Sequence, residues 1–317
     1  MRRKKSQGKA VNPKHQKVPI WVQLLFGFMA KIPVSWLNKL GAGIGFLFYL
    51  LDKKHREITL RNLARVFPEK SKKERTLIAK NAFKQVGRTL LEIPFVFLGN
   101  KTKLLNHVFI EGEDVLKDAL KENKGVFLMA AHFSNWELMG LLPSMLGYDV
   151  SNIYRPLNQK PLDAFTLVSR TRFGTNLYPR NTGLRWLLSA LKNNHCIIVA
   201  LDQHMGAGNG IRVPFLGHIA STTGLPAPFV IKNQTPMVGM ALERQHDSFD
   251  FKMKFWRIDA PEVSGDKAND EIAVMTAACK SFDDVIKPHP EQWLWMHRRW
   301  RVVETDEDMT NVVHGAP

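Results

Sequence analysis

From Val126 to Ala131 every position is apolar, and the run is bounded by Gly125 before it and a polar cluster after it. A short continuous run of this kind predicts a strand buried on both faces of a sheet. Further along, apolar and polar stretches alternate. Strands are predicted at Val150 to Tyr154, near Leu177 and at Cys196 to Leu201, with helices from about Pro161 to Arg172 and Thr182 to Asn193 between them. Strands alternating with helices of this length predict an α/β sheet flanked by helices. Met237 to Arg244 and Phe249 to Arg257 lie either side of a polar turn and predict a hairpin, which makes the sheet mixed. A helix from about Ala268 to Ile286 and a tryptophan-rich segment, Pro290 to Trp300, close the domain.

Ahead of the sheet the pattern is helical. Val18 to Ala30 is apolar but for Gln23, Lys31 interrupts, and Ile32 to Leu51 resumes. Neither piece is an unbroken run of eighteen apolar residues, so a simple spanning helix does not follow. Trp21, Phe26, Phe28, Trp36, Phe46, Phe48 and Tyr49 suit an interfacial or re-entrant anchor, against the plainer reading of two buried core helices. Asp52 to Phe67 predicts a basic helix ended by Pro68. Ser71 and Glu74 form a capping box that opens another, with Leu77, Ile78, Ala82, Val86 and Leu90 at helical spacing. Phe95 to Leu98 is expected to meet membrane or core, and the mixed stretch at 110 to 120 carries no assignment.

Ser134 with Glu137 three residues later reads as a second capping box, opening a helix directly after His132. His132 is thereby placed at the carboxyl end of a strand, where open α/β sheets carry their chemistry. Beside a helix amino end the imidazole is kept neutral and able to accept a proton. Glu137 is the candidate partner for its other ring nitrogen, provided that the chain turns between the two. The bland alternative is a capping glutamate and a satisfied strand-end histidine.

Charge adds a partner class. Lys and Arg number 45 against 29 Asp and Glu, a net +16, which implies nucleic acid, an anionic membrane face or an acidic carrier or substrate. Residues 1–17 hold seven Lys or Arg and no acid, a basic arm expected to be disordered, while 304–317 reads as a loose acidic tail. Cys196 and Cys279 have no metal spacing and suit a reducing compartment. His132, Glu137 and His204 lack the spacing of a zinc hydrolase, so no metal is expected. Ser134 has no nucleophile elbow around it. The glycines of GAGNG, Gly206 to Gly210, are followed by no helix and read as a loop at the cleft rim. The tryptophans and arginines near 300 read as core or membrane edge, since no nucleic-acid fold signature accompanies them.

His132 to Glu137 has the His-x4-Asp/Glu form of glycerolipid-type acyltransferases, and the wider chain resembles the bacterial lipid A biosynthesis acyltransferases. The likeness runs from roughly Leu40 to Arg301 through ordered landmarks: RNLARVFPE at 61–69, AAHFSNWE at 130–137, YRPL at 154–157, SRTRFG at 169–174, LDQH at 201–204, VPFLG at 213–217 and PEQWLWMHRRW at 290–300. The resemblance implies a glycerolipid-acyltransferase-like mixed sheet at 52–303, behind an amino-terminal membrane anchor at 18–51. It implies transfer of a fatty acyl chain from an acyl carrier protein (or acyl-CoA) to a hydroxyl of the Kdo-bearing lipid A precursor, at the cytoplasmic face of the inner membrane and without a cofactor. His132 is then the general base and Glu137 its assistant. Arg155, Arg170 and Arg172 are candidate binders of anionic groups or an oxyanion, against surface solvation. Asp202, at a strand end, is expected to orient an arginine, a substrate hydroxyl or the catalytic loop, against a plain loop cap. Other lipid acceptors, and a basic peripheral membrane or nucleic-acid-binding protein without chemistry, are the competing readings.

Overall fold

The computed structural model describes residues 9–180, 182–206 and 210–301. Two apolar helices, α1 (Ile20–Met29) and α2 (Val34–Leu51), are separated at Lys31 to Pro33, and α3 (Lys53–Val66) follows at once. A long helix, α4 (Lys72–Leu98), then crosses the molecule. Its start is the expected capping box: Ser71 Oγ accepts from Glu74 N–H while the Glu74 carboxylate accepts from Ser71 N–H. Its end is core, because Phe95, Val96 and Phe97 are buried. Helix α2 lies directly on α4. A Cβ on Gly41, Gly45 or Gly87 would stand 2.6, 2.1 and 2.1 Å from backbone oxygens of the facing helix, so only glycine permits this approach.

After α5 (Lys101–Leu105) the unassigned stretch resolves into β1 (Val108–Glu111) and α6 (Glu113–Lys121). The units β2 (Val126–Ala130), α7 (Trp136–Met145), β3 (Ser151–Tyr154), α8 (Lys160–Thr171), β4 (Asn176–Pro179), α9 (Arg185–Lys192) and β5 (Cys196–Ala200) alternate as the pattern predicts. Beyond them come β6 (Ile211–Phe215), β7 (His218–Thr222), α10 (Ala227–Asn233), β8 (Met237–Gln245), β9 (Asp250–Ile258), α11 (Lys267–Lys280) and α12 (Asp283–Ile286).

The central sheet is mixed, in the order β1-β9-β8-β2-β5, with β8 and β9 the antiparallel hairpin and the other pairs parallel. Strand β2 is buried at every position, as its unbroken apolar run requires. One expectation needs correcting, and one stretch without an assignment resolves. The strands at 151–154 and 176–179 form a ladder only with each other, joined to the main sheet by the Val150–Cys196 bridge and by Asn152 Oδ1, which accepts from Ile198 N–H of β5. The segment after residue 210 forms a hairpin of its own, β6 with β7, turned by Leu216 and Gly217 at φ 49° and 83°. Such two-residue turns with both φ positive match the strand twist.

Within the expected basic arm, Val11 N–H donates to the Leu177 carbonyl at 2.7 Å and Val11 packs against Tyr154, Leu167 and Leu177. That part of the arm is docked, not loose. The first eight residues, the tail from 302 and residues 207–209 of the glycine loop lie outside the described residues. Trp293, Trp295 and Trp300 are buried at the centre of the larger core, which settles the tryptophan-rich segment as core.

Candidate active site

His132 follows β2 by two residues and Asp202 follows β5 by two residues, and β2 and β5 are parallel neighbours in register. The register alone brings the two side chains together at the carboxyl edge of the sheet. Asp202 Oδ1 lies 2.8 Å from His132 Nδ1, and Asp202 Oδ2 accepts the His132 backbone N–H at 2.7 Å. Trp293 Nε1–H donates to Oδ2 at 2.9 Å. Three donors fix a carboxylate that is 3% exposed. The loop carrying Asp202 is itself tied down by the buried guanidinium of Arg299, which donates to the carbonyls of Leu201, Gln203 and Ser221.

The pairing sets the protonation states. Burial raises the Asp202 pKa, but the charge and hydrogen bonds of His132 outweigh it and hold the carboxyl at about 2. Burial lowers the His132 pKa, and the Asp202 carboxylate more than reverses that, leaving the imidazole above its ordinary value. An ionised Asp202 can only accept, so the neutral ring carries its proton on Nδ1 and a lone pair on Nε2. His132 lies deep in the protein, yet a quarter of its side chain opens into a cavity of about 170 Å³.

Glu137 does not meet the imidazole. It sits in the first turn of α7, is 9% exposed, and forms a two-pronged pair with Arg170 from the last turn of α8. Arg170 Nε donates to Oε2 at 2.9 Å and Nη2 to Oε1 at 2.5 Å. The expected capping box at Ser134 is also absent. Ser134 adopts φ 51°, its N–H donates to the Gln292 carbonyl, and its own carbonyl accepts from Thr89 Oγ1. With that backbone spent outside the helix, α7 starts one residue later, and Asn135 caps it by accepting from Leu138 N–H. The turn frees Glu137 from capping and aims it at Arg170 instead.

The other candidates divide. Arg170 lines the cavity together with His132, Glu137, Trp136 and Tyr154. Arg172 does not: its guanidinium donates to the Phe97 and Gly99 carbonyls and closes the carboxyl end of α4. Arg155 is exposed, next to Tyr154 but outside the cavity wall. Asp202, expected near substrate, is the partner of His132.

Several residues had no reading from the sequence. Asn135, besides capping α7, donates to Glu92, and Glu92 pairs with Arg244, both fully buried. Asn38 of α2 donates to the same carboxylate at 2.9 Å, so one buried acid ties α2, α4, α7 and β8 beneath the site. The available signal was a lone acid inside the apolar stretch LLEIPFVF.

The chain matches the family model described as bacterial lipid A biosynthesis acyltransferase over residues 9–302. It is 28% identical over 290 residues to the lipid A biosynthesis palmitoleoyltransferase of Escherichia coli K12, covering 89% of this chain and 88% of that protein. It is 24% identical over 278 residues to the lauroyltransferase of the same organism (86% and 88%) and 26% over 288 residues to a lipid A biosynthesis acyltransferase of Haemophilus influenzae (90% and 88%). With the family model covering nearly the whole chain, from the docked arm to the last described residue, this protein belongs to the bacterial lipid A biosynthesis acyltransferases.

Proposed function

We propose that this acyltransferase of lipid A biosynthesis works through a His132–Asp202 dyad, transferring an acyl chain from an acyl carrier protein thioester to a hydroxyl of the Kdo-bearing lipid A precursor. The observation that carries the reading is the 2.8 Å contact between His132 Nδ1 and Asp202, which leaves Nε2 available beside the cavity. Nε2 takes the proton of the acceptor hydroxyl, and Asp202 stabilises the imidazolium that forms. The alkoxide oxygen attacks the thioester carbonyl carbon. The tetrahedral adduct collapses with loss of the thiolate, which takes the proton back from the imidazolium. No covalent acyl-enzyme is needed, because the acceptor itself is the nucleophile.

Arg170 is the cation at the cavity, and its role is to face the thioester oxyanion or an anionic group of the acceptor. Glu137 holds that guanidinium in one orientation through both oxygens, so its contribution to catalysis passes through Arg170. The net charge of +16 suits a donor carrier, an acceptor and a membrane face that are all acidic.

The membrane reading rests on α1 and α2. Ile20, Leu24, Phe28, Trp36, Leu40 and Leu51 are each more than half exposed. Helix α2 is the one described helix long and apolar enough to cross a bilayer. Its other face is fixed to α4, however, and Lys80 and Lys84 of α4 lie over the rings of Tyr49 and Phe46. Carrying α2 through the hydrocarbon would take those cations with it. The pair therefore dips into the cytoplasmic leaflet with its lysines at the headgroups. Sedimentation with anionic vesicles tests this, and the variant Trp21→Asp/Phe28→Asp is expected to stay in the supernatant.

The test of the activity is acyl transfer by purified protein from acyl carrier protein to Kdo-lipid A precursor. Wild type is expected to add one ester-linked chain and His132→Ala to lose at least about 100-fold in rate. Transfer to a glycerolipid but not to this acceptor would keep the dyad and change the pathway. Undiminished activity in His132→Ala would overturn the mechanism.

A further inference from the structure

We propose that Gly140 sets how deep an acyl chain reaches into the cavity beside His132, and so selects the length of chain that is transferred. The inference rests on the reading that the cavity receives the acyl chain of the donor. Gly140 lies in the middle of α7, where a glycine costs about 1 kcal/mol relative to alanine. The fold gives no local return for that cost. Gly140 has ordinary helical backbone, not the left-handed conformation that calls for glycine. A Cβ built on it meets no atom within 4 Å, whereas one on Gly41, Gly45 or Gly87 would collide with the backbone of a packed helix. Nor does Pro143, three residues on, require it: Pro94 of α4 has Leu91 at the same spacing.

The missing side chain would point into the cavity. Trp136, whose ring centroid is 5.8 Å from that of His132, shares a helix face with Gly140, and both line the cavity wall. Gly140 is thus one turn, about 6 Å, further from the imidazole along α7. Met139, Ile153, Leu177 and Ile198 add apolar surface to the same wall, Ile153 from the exposed side. Two polar atoms of the lining are already engaged, Asn152 Oδ1 with Ile198 N–H and Thr175 Oγ1 with Ser144 Oγ. The titratable and charged groups that activate or polarise, His132, Glu137 and Arg170, come from the start of α7 and the end of α8. A cavity that joins a nucleophile-activating imidazole to a largely apolar wall fits a thioester carbonyl beside His132 and its methylene chain along that wall. Each methylene loses favourable burial if the cavity is filled, so a side chain at 140 penalises long chains and spares short ones.

The experiment gives wild type, Gly140→Ala and Gly140→Leu an equimolar mixture of short, medium and long saturated acyl-carrier-protein thioesters. Products on the lipid A precursor are read by mass spectrometry, with unfolding curves recorded for each variant. Gly140→Leu is expected to lower the ratio of long to short product at least about tenfold relative to wild type, equivalent to about 1.4 kcal/mol. Gly140→Ala should shift the same ratio in the same direction by less and unfold no more easily than wild type, so it decides the matter if the leucine variant does not fold. An unchanged ratio in a folded variant, or an equal loss at every chain length, would overturn the proposal. Failure of the underlying reading looks different: wild type itself would then transfer no chain.

Discussion

Two of the buried acid–base pairs among the described residues differ in what is left over. Glu92 and Arg244 have no exposed surface, and Glu92 accepts from four donors: two guanidinium nitrogens and the amides of Asn38 and Asn135. Every lone-pair position of that carboxylate is occupied, so it can hold structure and nothing else. Asp202 is held by three donors from His132 and Trp293, but its partner is less engaged: the imidazole spends one nitrogen on the carboxylate and opens toward the cavity. A buried charge pair becomes a catalytic device when one member keeps an unspent valence facing a space that substrate can enter. The former pair joins four elements, whereas the latter joins one carboxylate to one proton acceptor.

Mutations should separate the two. The largest effect on folding is expected from Glu92→Ala, which strands the Arg244 charge and should cost roughly 3–5 kcal/mol in denaturant unfolding. Replacing both members with methionine should recover most of that loss, because two desolvated charges disappear together. His132→Ala reverses the pattern, with at least about a 100-fold fall in acyl transfer and no comparable loss of stability. Asp202→Asn should follow, with a fall in rate on the order of 10-fold to 100-fold as the ring loses its fixed tautomer and its counter-charge. The smallest effect belongs to a region remote from both. Ser71→Ala breaks the capping box of α4 and should lower stability by about 1 kcal/mol while leaving transfer unchanged.

The same contrast explains what the sequence could reveal. Strand β2 announced itself because burial on both faces needs an unbroken apolar run, and the β8–β9 hairpin because its two strands flank a polar turn. The Ser71 box was legible because capping is local chemistry. The Ser134 box was not, because Gln292 and Thr89, remote in sequence, claim the backbone there and move the helix start to Asn135. Asp202 stood out as an acid at a strand end, but its partner depends on the β2–β5 register, which no local pattern encodes. Glu137 was assigned to His132 by proximity along the chain. Arg170, 33 residues away, won it by geometry. Arg172 carried the same charge as Arg170 two positions on, and only the neighbouring end of α4 distinguishes its role.

The central claim, that Asp202 and not Glu137 serves the imidazole, is tested most directly by the pH dependence of kcat/KM for wild type, Asp202→Asn and Glu137→Gln. The base must be neutral to act, so activity rises with pH through the His132 pKa, which the Asp202 carboxylate holds above the ordinary histidine value. With asparagine at 202 the counter-charge is gone while burial remains, so the rising limb should move to lower pH. With glutamine at 137 the limb should move in the same direction but by less, because the Glu137 charge also raises the imidazole pKa but ranks behind Asp202. A limb that moves in Glu137→Gln and stays put in Asp202→Asn would contradict the assignment of the dyad.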